Sequence, residues 1–435
     1  MNRQNPLKNI PKEEFEEAFK NIEESFHLEW LQNRKISNPI IDTWNRKDWL
    51  AKNELFTLGS CIGQIKKVDS KWLNAQIKKI KTGNSNQVKG ALFEILGIGY
   101  MADKSKVTPT KDNQPGYDAI VQIKQDLELR VSIKNYSLSI HQNNFNKEVI
   151  QFEADLIGFL DYFKIKQCQI LVDSPEKVPE KKDWKTLKKH FPTILKNYKE
   201  KGVGTFVMDD KSWIVMVGKL TGENYHDRKL SYSLIASCIY HKNESKNIIS
   251  KLEDACSNLE KHSSLESNNI KNGLFIRLPI TVSINNCIKW ISDYFTNNPD
   301  KPISIVILYQ PSLAENIEEG NHFIHHCFIG HQKPSFSKLC NNLINFTIPV
   351  GRIDSKPVDL KIIAEGIGEM SVDDRYILQR GNHYIKTEKN KDGSYVGNVK
   401  MISPGINKHV IFSEPFDKEL ILSGIFPPND NLNII

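Results

Sequence analysis

No CxxC pair, no GxxxxGK[ST] loop, no GxSxG elbow and no long apolar run occurs anywhere in the sequence. Each absence excludes a class. The seven cysteines (Cys61, Cys168, Cys238, Cys256, Cys287, Cys327 and Cys340) stand far apart, which rules out a disulfide framework or a zinc-ribbon spacing and fits a reducing compartment. Without the P-loop pattern the chain is not a nucleotide-driven motor of that kind, and the lone pairs Gly97-Ile98-Gly99 and Gly366-Ile367-Gly368 lack the third glycine of a dinucleotide fingerprint. Nothing approaches the roughly 20 apolar residues of a membrane helix. Met1 to Pro11 is polar, so no signal peptide is expected. The expectation is a cytoplasmic protein with no membrane association. Internal repeats and low-complexity tracts are also missing.

What is present suits a large soluble chain. At 435 residues it is long for one core and is expected to hold two or three domains. Hydrophobic residues make up 39% and charged residues 26%, enough for packed cores. A net charge of +7 leans toward polyanionic partners, although a lysine-rich composition alone produces the same value.

Periodicity divides the chain. Phe15, Phe19, Ile22 and Phe26 predict a helix within 12–34, Lys71–Lys81 a second, and Asn86 to about Ala102 a third, with Val88, Ala91, Leu92, Ile95 and Met101 as its apolar set. Tyr117–Lys124 and Leu127–Asn135 alternate as strands around a Gln125-Asp126 turn. A helix over about Asn144–Phe163 carries Phe145, Val149 and Phe152 and is expected to pack on that hairpin. Gln167–Asp173 predicts a buried strand, 181–201 a lysine-dense segment that is helical beyond Lys185, and Gly204–Met208 with Ser212–Leu220 a hairpin closing the domain. Residues 228–262 read as helical, and the Ser/Asn-rich stretch His262–Gly273 as a linker. A βαβ-like order over 274–309 then opens a second unit. The expected divisions are a helical region 1–84, a core 85–225, a connector 226–272 and a C-terminal α/β domain 273–435. A chain cut after about residue 225 is expected to keep the core.

Four positions in this core carry chemistry. Asp118 opens the first hairpin strand. Ser132 and Lys134, two residues apart near the end of the second, share a face. Glu148 lies early in the next helix. Phosphodiester hydrolysis needs such an assembly: magnesium takes hard oxygen ligands, usually one or two carboxylates from the protein, and activates water. A neighbouring lysine offsets developing charge. The bland reading is also available. Asp118 would then be a turn residue, Lys134 an exposed strand-end lysine, and Glu148 an acid favoured by a helix N-terminus.

These residues resemble the PD-(D/E)XK nuclease superfamily, whose motif is an aspartate on one strand and acid-X-lysine on the next. Ser132 departs from it, but a subgroup of type II restriction endonucleases has Ser-X-Lys there and takes its acid from the following helix as Lys-x13-Glu, which Lys134 and Glu148 match. The resemblance covers about residues 85–175. It implies a restriction-endonuclease-like mixed sheet flanked by helices, plus a second α/β domain. Asp118 and Glu148 would be ligands for Mg2+, with Mn2+ as a substitute. Lys134 would be the catalytic lysine, Ser132 a lining residue, and Glu94 a further acid from the preceding helix. The implied activity is a metal-dependent endonuclease acting on DNA ahead of RNA. Fold analogy suggests a bacterial restriction or anti-phage setting. The alternative is a silent nuclease fold that binds nucleic acid or scaffolds a complex.

Lys182, Lys185, Lys188 and Lys189 in the lysine-dense helix are candidates for phosphate contacts, with Trp184, Phe191 and Tyr198 read either as interleaved contacts or as its buried face. His322, His325, His326, Cys327 and His331 form the densest His/Cys group, with packing favoured over metal binding. The C-terminal half has no catalytic motif and is expected to serve recognition or a protein partner. A homo-oligomer is left open.

Overall fold

The computed structural model describes residues 10–435 apart from 47, 103–105, 111–115, 203, 209–211, 219–230, 263–268, 317–320, 334–345, 356–359, 365–367, 372, 382, 390–394, 402–411, 414–419 and 424–431. In chain order the first half contains α1 (Lys12–Phe26), α2 (Leu28–Leu31), α3 (Pro39–Trp44), α4 (Trp49–Thr82), α5 (Ser85–Ala102), β1 (Lys106–Pro109), β2 (Ala119–Lys124), β3 (Leu127–Asn135), α6 (Ile140–Tyr162), β4 (Gln167–Ser174), α7 (Lys181–Lys201), β5 (Gly204–Val207) and β6 (Ile214–Gly218). The second half contains β7 (Ser231–Ile239), α8 (Glu244–His262), β8 (Ile270–Arg277), α9 (Ile284–Asn297), β9 (Ile305–Asn316), β10 (Asn321–Gln332), β11 (Arg352–Asp354), β12 (Leu360–Ala364), β13 (Gly368–Ser371), β14 (Arg375–Gly381), β15 (His383–Lys389), β16 (Tyr395–Met401), β17 (Phe412–Ser413) and β18 (Leu420–Ser423).

The fold is α/β, built on two mixed sheets flanked by helices. The larger runs β1-β2-β3-β8-β9-β10-β11, with β18 also on β9. The second runs β14-β7-β4-β6-β5. Smaller ladders join β13, β12 and β17, and β15 with β16.

The helical start follows its pattern. Phe15, Phe19, Ile22 and Phe26 are all buried, but His27 adopts φ 64° and breaks the expected 12–34 helix into α1 and α2. The helix expected at 71–81 is the second half of α4. Asp69 leaves helical geometry there and accepts the Trp72 N–H at 2.9 Å, capping a fresh start inside one long helix. The α5 set from Val88 to Met101 is buried as its spacing predicts.

β3 organises the large sheet. Leu127, Leu129, Val131 and Ile133 enter the apolar cluster with α4 and α5. The opposite face of the sheet is covered by α8 and α9, whose Ile248, Leu252 and Ile291 cluster with Leu274, Ile276, Val306 and Leu308.

Three expectations are corrected. First, β8 lies in register beside β3, parallel to it, from Glu128↔Ile270 to Asn135↔Arg277. The boundary placed at 272/273 therefore falls inside a strand at the centre of a sheet. The connection from β3 to β8 runs through the second sheet's elements and α8, so neither sheet is completed within 85–225. Second, α6 does not pack on the β2–β3 hairpin. Its Phe145, Val149 and Phe152 enter the second sheet's core with Trp184, Phe191 and β4. Third, 231–239 is the strand β7, paired with β4 and β14, and the helix begins only at Glu244. A short apolar run buried on both sides has no period to distinguish strand from helix. β14, from the C-terminal stretch, completes this second sheet, so both sheets cross the expected division.

Candidate active site

The hairpin brings three of the expected residues together. Ala119 pairs with Val131, which places Asp118 opposite Ser132 at the mouth of the β2–β3 ladder. The Asp118 backbone N–H still bonds to Val131 O at 2.8 Å. Its side chain continues where the ladder stops: Oδ2 accepts the Ile133 N–H at 2.6 Å and the Ser132 hydroxyl at 3.4 Å, and lies 3.5 Å from Lys134 Nζ. Ser132 is buried, while the Asp118 and Lys134 side chains keep 27% and 30% exposure, so an acid and a cation face solvent from one sheet surface. On the same face of β3, Arg130 pairs with Glu128 at 2.8 Å and sits 5.2 Å over the Tyr117 ring.

Glu148 and Glu94 are placed by other elements. Glu148 is half-buried on α6 and makes no hydrogen bond or ion pair among the described residues; its helix belongs to the second sheet's layer. Glu94 is half-buried on α5, between Phe93, which stacks on Tyr309, and Gly97, which lies against Phe275 and Ile133. Among the described residues no group of three or more His, Cys, Asp or Glu is placed to hold a metal ion. The donor set at the hairpin fits a cation held by one carboxylate. All three donors meet at Asp118 Oδ2, and Oδ1 accepts no bond among the described residues.

One acid near this face was invisible in the sequence. Glu244, buried at the start of α8, accepts from the Tyr136 hydroxyl at 3.2 Å and from the Tyr376 hydroxyl. Tyr376 also meets Ser139, the residue capping α6. Tyr136 follows Lys134 by two positions, so this network holds the end of β3 where the chain leaves one sheet for the other. Its partners lie 108 and 132 residues apart, and no local pattern announces them.

The lysine-dense helix α7 buries Trp184, Phe191 and Tyr198, so those aromatics form its packed face. Lys182, Lys185 and Lys189 are exposed, with Lys182 3.2 Å from Glu180. Lys188 is half-buried and bound to Asp155 at 2.6 Å, which removes it from the open stripe. In the His/Cys group, His326 is fully buried between Tyr309 OH at 2.8 Å and the Val350 carbonyl at 3.1 Å. His331 stacks on Phe295 on the other face of β10. The His322 side chain, and Gly366 and Ile367 of the second glycine pair, lie outside the described residues.

Six of the cysteines are described, all buried and none in a disulfide. Burial pushes the Cys168 and Cys327 thiols up to about 12, and it raises the other four as well. Burial thus disfavours the thiolate form in all six. No described helix is long and apolar enough to cross a membrane.

Compared with family models, with curated proteins and with solved structures, the chain matches none.

Proposed function

We propose that the chain is a metal-dependent phosphodiester hydrolase of the PD-(D/E)XK type, working at Asp118, Ser132 and Lys134 and acting on DNA ahead of RNA. The observation that carries this reading is the meeting of Asp118 and Lys134 at 3.5 Å on a part-exposed strand end, from positions chosen by motif alone. The element order supports it. α5, the β2–β3 hairpin, α8 and β8 follow one another as helix, hairpin, helix and strand once the second sheet's layer is set aside.

Magnesium, when bound, would supply an acidified water and charge neutralisation, with Asp118 Oδ1 as its protein ligand and Glu148 or Glu94 reaching it only after α6 or a side chain moves. Lys134 places an ammonium beside the reacting phosphate, where it stabilises developing negative charge. Ser132 and the Ile133 N–H hold the Asp118 carboxylate in one orientation. The exposed Lys182, Lys185 and Lys189 offer sequence-independent phosphate contacts. A bacterial restriction or anti-phage role follows only by analogy of fold. The second reading, a silent nucleic-acid-binding or scaffolding subunit, is favoured by one observation, the absence of an assembled three-acid group among the described residues.

The test is cleavage of labelled plasmid, single-stranded DNA and RNA with magnesium or manganese. Wild type is expected to cut, and Lys134→Ala and Asp118→Asn are each expected to lose at least about a hundredfold. Glu148→Ala separates the acids: retained cutting assigns the second ligand elsewhere. Wild type that neither cuts nor binds magnesium in a titration overturns the enzyme reading and leaves the binding subunit.

A further inference from the structure

The segment Leu432–Ile435 is buried in the helical side of the molecule. Leu432, Ile434 and Ile435 belong to the same apolar cluster as the α4 and α5 side chains. Side chains grip its backbone as well. Glu54 on α4, fully buried, accepts the Ile434 N–H at 2.8 Å and the Ile435 N–H at 3.1 Å on one oxygen. Arg277, the last residue of β8, donates to the Ile435 carbonyl at 2.5 Å. Asn433 donates to the Thr43 hydroxyl at 3.3 Å. One acid reading two successive N–H groups, one arginine on the next carbonyl and apolar packing for the side chains make a built site for an extended aliphatic peptide.

The grip is incomplete. Glu54 Oε2 and Arg277 Nε are buried without a hydrogen-bond partner among the described residues. Such atoms raise the cost of the closed state.

We propose that this seat, formed by Glu54 of α4, Thr43 of α3 and Arg277 at the end of β8, is a peptide-binding site occupied by the chain's own Leu432–Ile435 as a detachable clasp, which ionisation of Glu54 loosens. Burial pushes the Glu54 carboxyl up to about 7, and the Ile434 and Ile435 N–H groups pull it the other way. Arg46, just past α3, also lowers it, and Tyr309 on β9, itself under the influence of Arg277, interacts with it. Release of the segment returns Glu54 toward water and its ordinary value near 4.5. The neutral acid is thus favoured in the closed state, and the clasp weakens as pH rises from about 4.5 through 7. Its effect would reach the candidate active site through the sheet: Arg277 pairs with Asn135, and the Tyr136 N–H bonds to Arg277 O, next to Lys134. Only that last consequence rests on the hydrolase reading; the clasp stands without it.

The full chain is digested with carboxypeptidase at pH 6 and pH 8, each rate divided by that of the free peptide Asn429–Ile435. The expected result is release of Ile435 at least tenfold slower than from the free peptide at pH 6, with protection falling severalfold at pH 8. Glu54→Gln is expected to hold the protection level across that range. Release at the free-peptide rate at pH 6 overturns the docked segment, and protection that is equal at both pH values in wild type overturns the role of Glu54. A chain ending at Asn431 provides the second measurement where its circular dichroism matches wild type. It should bind fluorescein-labelled Asn429–Ile435 peptide, and should not bind the same peptide with Ile434→Pro, which lacks one N–H. Equal binding of the two peptides, or none of either, overturns the site.

Discussion

At Asp118 a single carboxylate oxygen takes the Ile133 N–H, the Ser132 hydroxyl and the Lys134 ammonium. The residue therefore shapes the hairpin mouth as well as offering a charge there, which is why asparagine rather than alanine is the informative replacement. Elsewhere, single residues set the pH response. Burial lowers His326 to about 3 and His325 to about 4, so both are neutral in the folded chain. The unfolded chain takes up their protons near the ordinary value of 6.5. Their contribution is complete above that value and is lost as pH falls toward 4. Thermal melts from pH 7 to pH 4 are expected to show a steep fall in Tm. A His326→Gln chain should start lower, for want of its Tyr309 and Val350 bonds, but should show a flatter slope. An unchanged slope would assign the acid response to other groups.

Among the elements, α4 and α5 come into tight contact at Gly99. A Cβ there would lie 2.4 Å from Cys61 Cβ and 2.9 Å from its Cα, contacts that no rotamer change relieves. Gly99→Ala should cost about 1–3 kcal/mol as overpacking between the helices. Gly90 and Gly158 sit in helices with nothing within 4 Å of an added Cβ. Alanine there should instead stabilise by about 0.5–1 kcal/mol. Chemical denaturation of the three variants checks the contrast, and a loss at Gly90 similar to that at Gly99 would refute the packing argument.

For the whole molecule the decisive fact is that β3 has β2 on one side and β8 on the other, with β8 arriving 135 residues after the strand ends. A chain cut after residue 225 loses β8, β9, α8 and α9. The buried β3 would then become an edge and its α8/α9 face would meet water. Such a chain is expected to show no cooperative melt and no cleavage, whereas a self-contained core would keep both. Removing β14 by truncation before Arg375 should harm the second sheet in the same way, since Tyr376, Ile377 and Leu378 fill its core.

Local chemistry was legible in the residues themselves. The alternation of Leu127–Asn135 predicted β3 to the residue, because one buried face enforces a period of two. The helix beyond Lys185 was legible too; it starts earlier, at Lys181, and the burial of Trp184, Phe191 and Tyr198 decides between the two readings their spacing left open. The same alternation, together with the register of a tight hairpin, brought Asp118, Ser132 and Lys134 to one face. What the sequence could not express was which sheet an element joins. Phe145, Val149 and Phe152 require only an apolar surface, and the second sheet provided it, carrying Glu148 into another layer. The pairing of β3 with β8, the Glu244 network and the seat of Leu432–Ile435 all depend on contacts more than a hundred residues apart. Side-chain patterns report the face a residue turns inward. Which of several apolar faces it meets is decided only when the layers close on one another.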